Sequence, residues 1–230
     1  MTNEEMKKKH PFIETHDLEG GLWDPLDGDI DPAQLTQALA KGARDLGARI
    51  ERFCPVVDID RDGDEWIVKT KKGDIRCDKI VNCAGYYAQR VGEMFKPHGG
   101  RTVPMVVMSH QYFLTGQIPE LEAWTKEKGH KVPLLRDVDV SYYLRQDKNG
   151  LNLGPYERNC KAHWVTPDDP MPEDFSFQLY PDDLDRLEDY IEDAMARVPL
   201  LGEGGMGRVY RAKMNCEADI GKTVALKFIK

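Results

Sequence analysis

The sequence predicts a mixed α/β fold, and three stretches carry that prediction. Residues 32–46 repeat apolar side chains at helical spacing and lead into a block of short strands and turns. Residues 79–82 form a short apolar β-type run that stops at Cys83, Ala84 and Gly85 and feeds a helix-like stretch over 86–95. Residues 102–115, 141–145 and 151–156 are apolar, β-branched or aromatic, which predicts an antiparallel sheet separate from a parallel one. A buried strand that ends in small residues ahead of a helix lets a ligand phosphate or ribose come close to the backbone.

Taken in order, the first nine residues are polar and expected to fray, so 1–10 reads as a disordered lead. Residues 20–32 are turn-rich, with Asp24-Pro25, Asp27-Gly28 and Asp31-Pro32 marking changes of direction. Asp31 can cap the next helix, with Pro32 at its first position. Leu35, Leu39, Ala43 and Leu46 share one face of it, and Gly47 stops it. Residues 49–53 and 56–59 are short strand candidates. Asp62-Gly63 predicts a hairpin turn, 65–70 alternates, Lys72-Gly73 turns again, and 74–77 pairs back before 79–82 returns to a main sheet. Residues 97–101 are a Pro/Gly linker, and 119–128 predict a surface helix. Residues 181–198 predict a strong helix: Asp182 and Asp183 sit at its start, and Leu184, Leu187, Ile191 and Met195 form its apolar stripe. No internal repeat is visible.

The 230 residues suffice for one large domain or two small ones. Hydrophobic content of 40% and charged content of 31% describe an ordinary soluble globular chain. A net charge of -8 argues against a nucleic-acid or anionic-membrane surface. No apolar run reaches the length of a membrane span, and the polar N-terminus is no secretory signal. A cytoplasmic setting is expected, or the mitochondrial matrix for a eukaryotic source. The five cysteines form no CxxC pair and the six histidines no ligand spacing, so neither a disulfide framework nor a metal site is expected.

The run KIVNCAGYYAQRVGEMF from Lys79 resembles the second flavin-contacting segment of the FAD-dependent oxidoreductases of the D-amino-acid oxidase superfamily. HQY at 110–112, LRD at 135–137, SYYLRQ at 141–146 and GPYE at 154–157 resemble its dimethylglycine and sarcosine dehydrogenase branch. The resemblance covers about residues 11–200. It implies part of an FAD-binding, two-dinucleotide-binding-fold domain over 11–101 and an antiparallel substrate-binding sheet over 102–200. It also implies FAD as cofactor, an N-methylated glycine-type amino acid as substrate, and leaves an electron-acceptor protein open as a partner. Val56 lies where the family presents a backbone edge to adenine, and Ala84 and Gly85 where it passes close to the dinucleotide. Plain sheet packing is the ordinary alternative for all three.

The family opens with a strand, a GxGxxG turn and a helix that seats the pyrophosphate. Nothing before Gly20 supplies these, so FAD binding by this chain is expected to be weak, and the isolated chain is expected to be incomplete and inactive. The family's flavin-capping segment near the C-terminus and its covalently flavinylated histidine have no counterpart either. Residues 201–230 read differently. Gly202, Gly204 and Gly207, with Lys227 in VALK, resemble the glycine-rich loop and strand lysine of a serine/threonine protein kinase. There the loop would cover ATP phosphates and Lys227 would pair them. No HRD or DFG follows, so an incomplete kinase-like module is the rival reading, and a fusion or non-catalytic remnant a third.

Amine oxidation requires a residue that orients or deprotonates the amine and one that holds the carboxylate. By resemblance His110, on a strand expected to line the cavity, is the first catalytic candidate; a hydrogen-bonded structural histidine is the alternative. Tyr143 is the second, and Tyr142 is a further substrate-binding candidate, although at strand spacing only one of the two faces a given cavity. Arg145 shares the Tyr143 face and can clamp a carboxylate, while Arg136 is as well suited to a structural pair with Asp137.

Overall fold

The computed structural model describes residues 1–176, 180, 181, 183–203, 210–213 and 223–226. Asp182, Gly204, Gly207 and Lys227 lie outside the described residues. The helices are α1 (Asn3–Lys9), α2 (Pro32–Asp45), α3 (Ala88–Met94), α4 (Pro119–Lys128), α5 (Glu188–Arg197) and α6 (Leu200–Glu203). The strands are β1 (Val56–Asp62), β2 (Glu65–Thr70), β3 (Gly73–Cys77), β4 (Val107–Met108), β5 (Phe113–Leu114), β6 (Leu135–Asp137), β7 (Tyr142–Asp147), β8 (Gly150–Pro155), β9 (Ala162–His163), β10 (Tyr210–Lys213) and β11 (Thr223–Leu226). Among the described residues, no helix is long and apolar enough to cross a membrane.

The chain divides into two compact units. One comprises Met1–Asp29, Ser109–Lys161 and Glu173–Lys230, the other Ile30–Met108 and Ala162–Pro172. The expected boundary at 101–102 therefore falls at 108–109, because β4 pairs with β9 and draws 162–172 into its own unit.

The first unit is built on an antiparallel sheet in the order β5-β8-β7-β6. Along β7, Tyr142, Leu144 and Gln146 are buried while Tyr143, Arg145 and Asp147 are half-buried on the other face, the period-two pattern of a strand. Leu151 and Leu153 of β8 join Leu144, Phe113, Leu121 of α4 and Leu187 and Ile191 at α5 in one core. Each fully buried leucine there contributes roughly 1.5–3 kcal/mol. Gln146 is buried among them without penalty: its carbonyl accepts from Val132 N–H at 3.0 Å, and its amide donates to Thr125 Oγ1 and Lys148 O at 2.9 Å. The helix over 119–128 forms as expected, with Pro119 at its first position and Gly129 closing it at φ 74°. The expected helix over 181–198 is shorter: a 3₁₀ turn over Leu184–Arg186 precedes α5.

The N-terminus, expected to fray, is instead a capped helix. Thr2 Oγ1 accepts from Glu5 N–H at 3.3 Å, and the Glu5 carboxylate accepts from Thr2 N–H at 2.8 Å. Met6 is buried, and Asn3 Nδ2 donates to Thr15 O and Leu18 O. The helix is thus held by side chains rather than by length.

The second unit holds the meander β1-β2-β3. Strand β1 is longer than the expected 56–59, and Gly63 takes φ 59° in the turn to β2. The alternating acids face cations across the strands: Lys69 bridges Asp58 and Asp60 at 3.2 Å, and Arg76 bridges Asp62 and Glu65 at 3.0 Å. Trp66 packs edge-on against Phe95 and His98. Helix α2 starts at its Asp31 cap, which accepts from Gln34 N–H at 2.8 Å, yet buries none of its residues. Two strand expectations fail. Residues 49–53 and 79–82 carry no strand, because among the described residues no strand pairs with them. Residues 79–84 run extended into a 3₁₀ turn over Gly85–Tyr87, and only then does α3 begin.

In the first unit, Arg197 at the end of α5 ties the chain together. Its guanidinium meets Asp17 through Nη1 at 2.6 Å and Nη2 at 2.9 Å, Glu14 O at 2.8 Å and Asp137 of β6 at 3.3 Å. It holds the Asp17 carboxyl down at about 2, against an ordinary 3.8. A depressed folded value means that the pair's stabilisation is complete above 3.8 and is lost as pH falls through about 2. Arg197→Met is expected to cost roughly 2 kcal/mol or more, chiefly through the stranded Asp137, somewhat under a fully buried pair. Thermal melts of the parent should lose stability between those two pH values, and Asp17→Asn should flatten that acid limb. A parent-like acid limb in Asp17→Asn contradicts this.

Candidate functional site

The outer face of the four-stranded sheet gathers the residues with the chemistry. Tyr143 pairs with Gly154 on one side and Arg136 on the other. Its ring lies flat over Gly154: a Cβ there would stand 2.0 Å from Tyr143 Cζ and 2.3 Å from its hydroxyl. The glycine is therefore what lets the tyrosine lie down on the sheet. Tyr156 meets Tyr143 edge-on at 6.0 Å, and its hydroxyl accepts from Arg136 Nη1 at 3.0 Å. His110 stacks on Tyr156 at 6.4 Å, so three rings follow one another. Burial pushes the Tyr143 hydroxyl above its ordinary value, which keeps it a donor. Arg145, next on the same strand face, pairs with Asp29 at 3.4 Å and Asp147 at 3.9 Å.

Behind His110 lies a knot of charge. Glu157 follows β8, and its side chain is 2% exposed. Its Oε1 accepts from Gln111 N–H at 3.0 Å and stands 3.7 Å from His110 Nδ1. Arg186, in the turn before α5, reaches Glu157 Oε2 at 3.3 Å and Asp183 at 3.2 Å. Asp183 also pairs with Lys161, which holds its carboxyl below the ordinary range. Gln111 clamps the Asp183 backbone, donating to its carbonyl at 2.9 Å and accepting its N–H at 3.0 Å. Ligand atoms of His110, Glu157 and Cys160 come within 4.8 Å of one another. The Arg186 guanidinium already neutralises that carboxylate, and Cys160 donates to Glu157 O at 2.9 Å, so the group is a hydrogen-bonded knot.

Several expected residues sit elsewhere than the sequence suggested. His110 lies in the connection between β4 and β5, not on a strand, because Glu157 takes the Gln111 N–H and Lys161 O the Ser109 N–H. Tyr142 is 1% exposed and belongs to the core, which removes it from any substrate surface. Gly202 is part of α6, and the position its Cβ would take lies 2.7 Å from Met195 Cε; it packs in a helical turn rather than in a phosphate loop. Glu157, Arg186, Gln111 and Tyr156 were not singled out by role. GPYE displayed Glu157, but nothing local displays its contact with Arg186.

The backbone at 84–85 is open. Gly85 takes φ 58°, is exposed, and has no atom within 4 Å of where a Cβ would be. Asn82 braces the turn, its Oδ1 accepting from Ala84 N–H at 3.2 Å and its Nδ2 donating to Ala88 O at 2.9 Å. Val56 is 38% exposed at the start of β1, whose only partner among the described strands is β2. These residues fit a dinucleotide through backbone and apolar edges; they bring no cation to a pyrophosphate.

A family model described as FAD dependent oxidoreductase, DAO, matches residues 1–217. That match takes in Gly202, Gly204 and Gly207, which need no kinase loop to account for them. The chain is 38% identical to mouse (Mus musculus) mitochondrial dimethylglycine dehydrogenase over 94% of its length and 24% of the relative's. It is 34% identical to human (Homo sapiens) mitochondrial sarcosine dehydrogenase over 88% of this chain and 21% of that one. It is 30% identical to the formaldehyde-forming 4-methylaminobutanoate oxidase of Paenarthrobacter nicotinovorans over 68% of this chain and 18% of that one. The chain thus spans about a quarter or less of the length of these relatives.

The Tyr143–Gly154 contact yields a direct test. Gly154→Ala must lift the ring and is expected to cost about 1–3 kcal/mol, the range of overpacking. In a Tyr143→Ala background the same change should cost much less. Denaturant titration of the four proteins measures the coupling; equal costs in both backgrounds would mean that the ring does not rest there.

Proposed function

Since the chain belongs to the DAO family of FAD-dependent oxidoreductases, we propose that it oxidises an N-methylated glycine-type amino acid, dimethylglycine or sarcosine. The observation that carries this is the ring row His110–Tyr156–Tyr143, with Arg145 next along the same strand face. Bound FAD supplies the acceptor for a hydride from the carbon beside the amine nitrogen. Val56, Ala84 and Gly85 would hold the dinucleotide. His110 keeps the amine neutral by taking its proton and orients it. Tyr143, a donor held flat by Gly154, fixes the amine or carboxylate from the other side.

Arg145 has a place for a carboxylate, since Asp29 already puts one 3.4 Å from its Nη1. Substrate binding then exchanges one carboxylate for another. An electron-acceptor protein is the partner this chemistry calls for. The mouse and human relatives are named mitochondrial, and that compartment is the reading for a eukaryotic source.

The test is anaerobic mixing of the chain, completed with an upstream dinucleotide-binding unit and a downstream flavin cap from a relative and loaded with FAD, against dimethylglycine and sarcosine. Oxidised-flavin absorbance should bleach with both. Glycine betaine, whose quaternary nitrogen offers no lone pair, should leave it unchanged. His110→Ala should slow bleaching about 10²–10⁴-fold with FAD affinity kept, and Tyr143→Phe should act mainly on substrate affinity. No bleaching by either amine overturns the proposal; parent-like bleaching in His110→Ala returns the histidine to a structural role.

A further inference from the structure

We propose that Glu157 is a positioning residue that sets the tautomer of His110. In this reading Nδ1 carries the proton and faces the buried carboxylate, while Nε2 is left bare on the far side of the ring. The inference rests on the amine-oxidising role of His110 for its consequence, but not for its geometry.

The ring has unlike surroundings on its two sides. The His110 side chain is 41% exposed, whereas the carboxylate beside Nδ1 is 2% exposed. A carboxylate only accepts, so the nitrogen that faces it is favoured as the donor. The separation of 3.7 Å is longer than a formed hydrogen bond. A small swing of the exposed ring closes it, because the carboxylate itself is fixed. Gln111 N–H holds Oε1 at 3.0 Å, and the Arg186 guanidinium stands 3.3 Å from Oε2. Asp183, itself paired with Lys161, holds Arg186 in turn, and Gln111 spans both ends by binding Asp183 with its side chain. Tyr156 flanks the ring's face, its own ring centred 6.4 Å away.

The consequence concerns the direction of proton transfer. A histidine with Nδ1–H held by a carboxylate presents an Nε2 lone pair to the open side. That lone pair can accept a proton from a protonated amine, and the nearby carboxylate then stabilises the imidazolium. With the opposite tautomer the open side would present a donor, and the same ring could not act as the base. Glu157 therefore works through His110 and touches no substrate atom.

The experiment reads the tautomer directly. The 230-residue chain, labelled with nitrogen-15 at histidine and free of flavin and substrate, is examined by NMR in mildly alkaline buffer. His110→Ala identifies the His110 signals by their loss. The parent should show Nδ1 protonated and Nε2 bare. Replacing Glu157→Leu together with Arg186→Met removes both charges and strands neither. That chain should revert to the Nε2-protonated form common for an unconstrained imidazole. In the completed, FAD-loaded protein the same paired change should lower the flavin-reduction rate roughly ten-fold or more, below the full loss expected for the base itself, with FAD affinity unchanged. Adding His110→Ala should slow it no further than His110→Ala alone. An Nε2-protonated parent overturns the proposal without any variant. So does a paired replacement that changes the tautomer and reduces flavin as fast as the parent. A parent that oxidises neither amine would sink the proposed function while the tautomer result still decides the geometry.

Discussion

Strand β8 is buried along its whole length, and on its outer face two of the three positions are glycines that other segments can lie over. Leu151, Leu153 and Pro155 fill the inner side, where Leu153 lies between Phe113 and Leu144. Gly150, Asn152 and Gly154 alternate on the outer side. The small residues are the condition for what covers them. Tyr143 occupies the space over Gly154, and Thr115 and Gly116 close on Gly150, whose added Cβ would stand 2.5 Å from Gly116 O. The outer face can carry the flat Tyr143 ring because β8 sets a glycine beneath it.

Buried charge then fixes the segments that the sheet cannot reach by itself. The guanidinium of Arg197 joins the end of α5 to β6 and to the N-terminal segment, and that of Arg186 joins the start of α5 to Glu157. Desolvating such groups costs several kcal/mol per ion, so these pairs are weak arguments for stability as such. Their effect is on uniqueness: a slipped α5 would take the cationic partners from Asp137 and Glu157 and leave them only backbone donors. Between them they set where the chain leaves β8 and where His110 stands relative to it.

Much of this was legible in the residues, and the failures share one cause. The ends of α4 and the turn at Gly63 were visible because proline, glycine and alternation act within a few residues. The Tyr142/Tyr143 alternation likewise placed only one of them outward. What failed was every expectation that depended on a distant partner. Residues 79–82 have a strand's composition but no ladder. Residues 109–112 have a strand's composition too, but the Glu157 carboxylate takes the backbone donor that a ladder would use. The N-terminal helix is hidden for another reason: Thr2 and Glu5 spell a capping box, but a helix of 7 residues is too short to display an apolar period. The rings of the site could be named from HQY, SYYLR and GPYE, but the carboxylate behind them could not be given its role. Arg186 reaches it, with Asp183 behind, only through the fold.

A site that must place a base, a hydroxyl and a cation within fractions of an ångström favours rigid supports. Here each is held by a different device. Tyr143 is fixed by a strand and a glycine floor, Arg145 by the same strand and two carboxylates, and His110 by a loop that a buried carboxylate has pulled off the sheet. The loop is the informative one. Had 109–112 formed the strand its composition favours, alternation would have dictated which way His110 points, and its backbone rather than Glu157 would have held it. Leaving the ladder over 109–112 frees the histidine from that register and hands its orientation to a charge. The departure from local propensity thus falls at the residue on which the proposed chemistry turns, where a fold gains most from a long-range constraint.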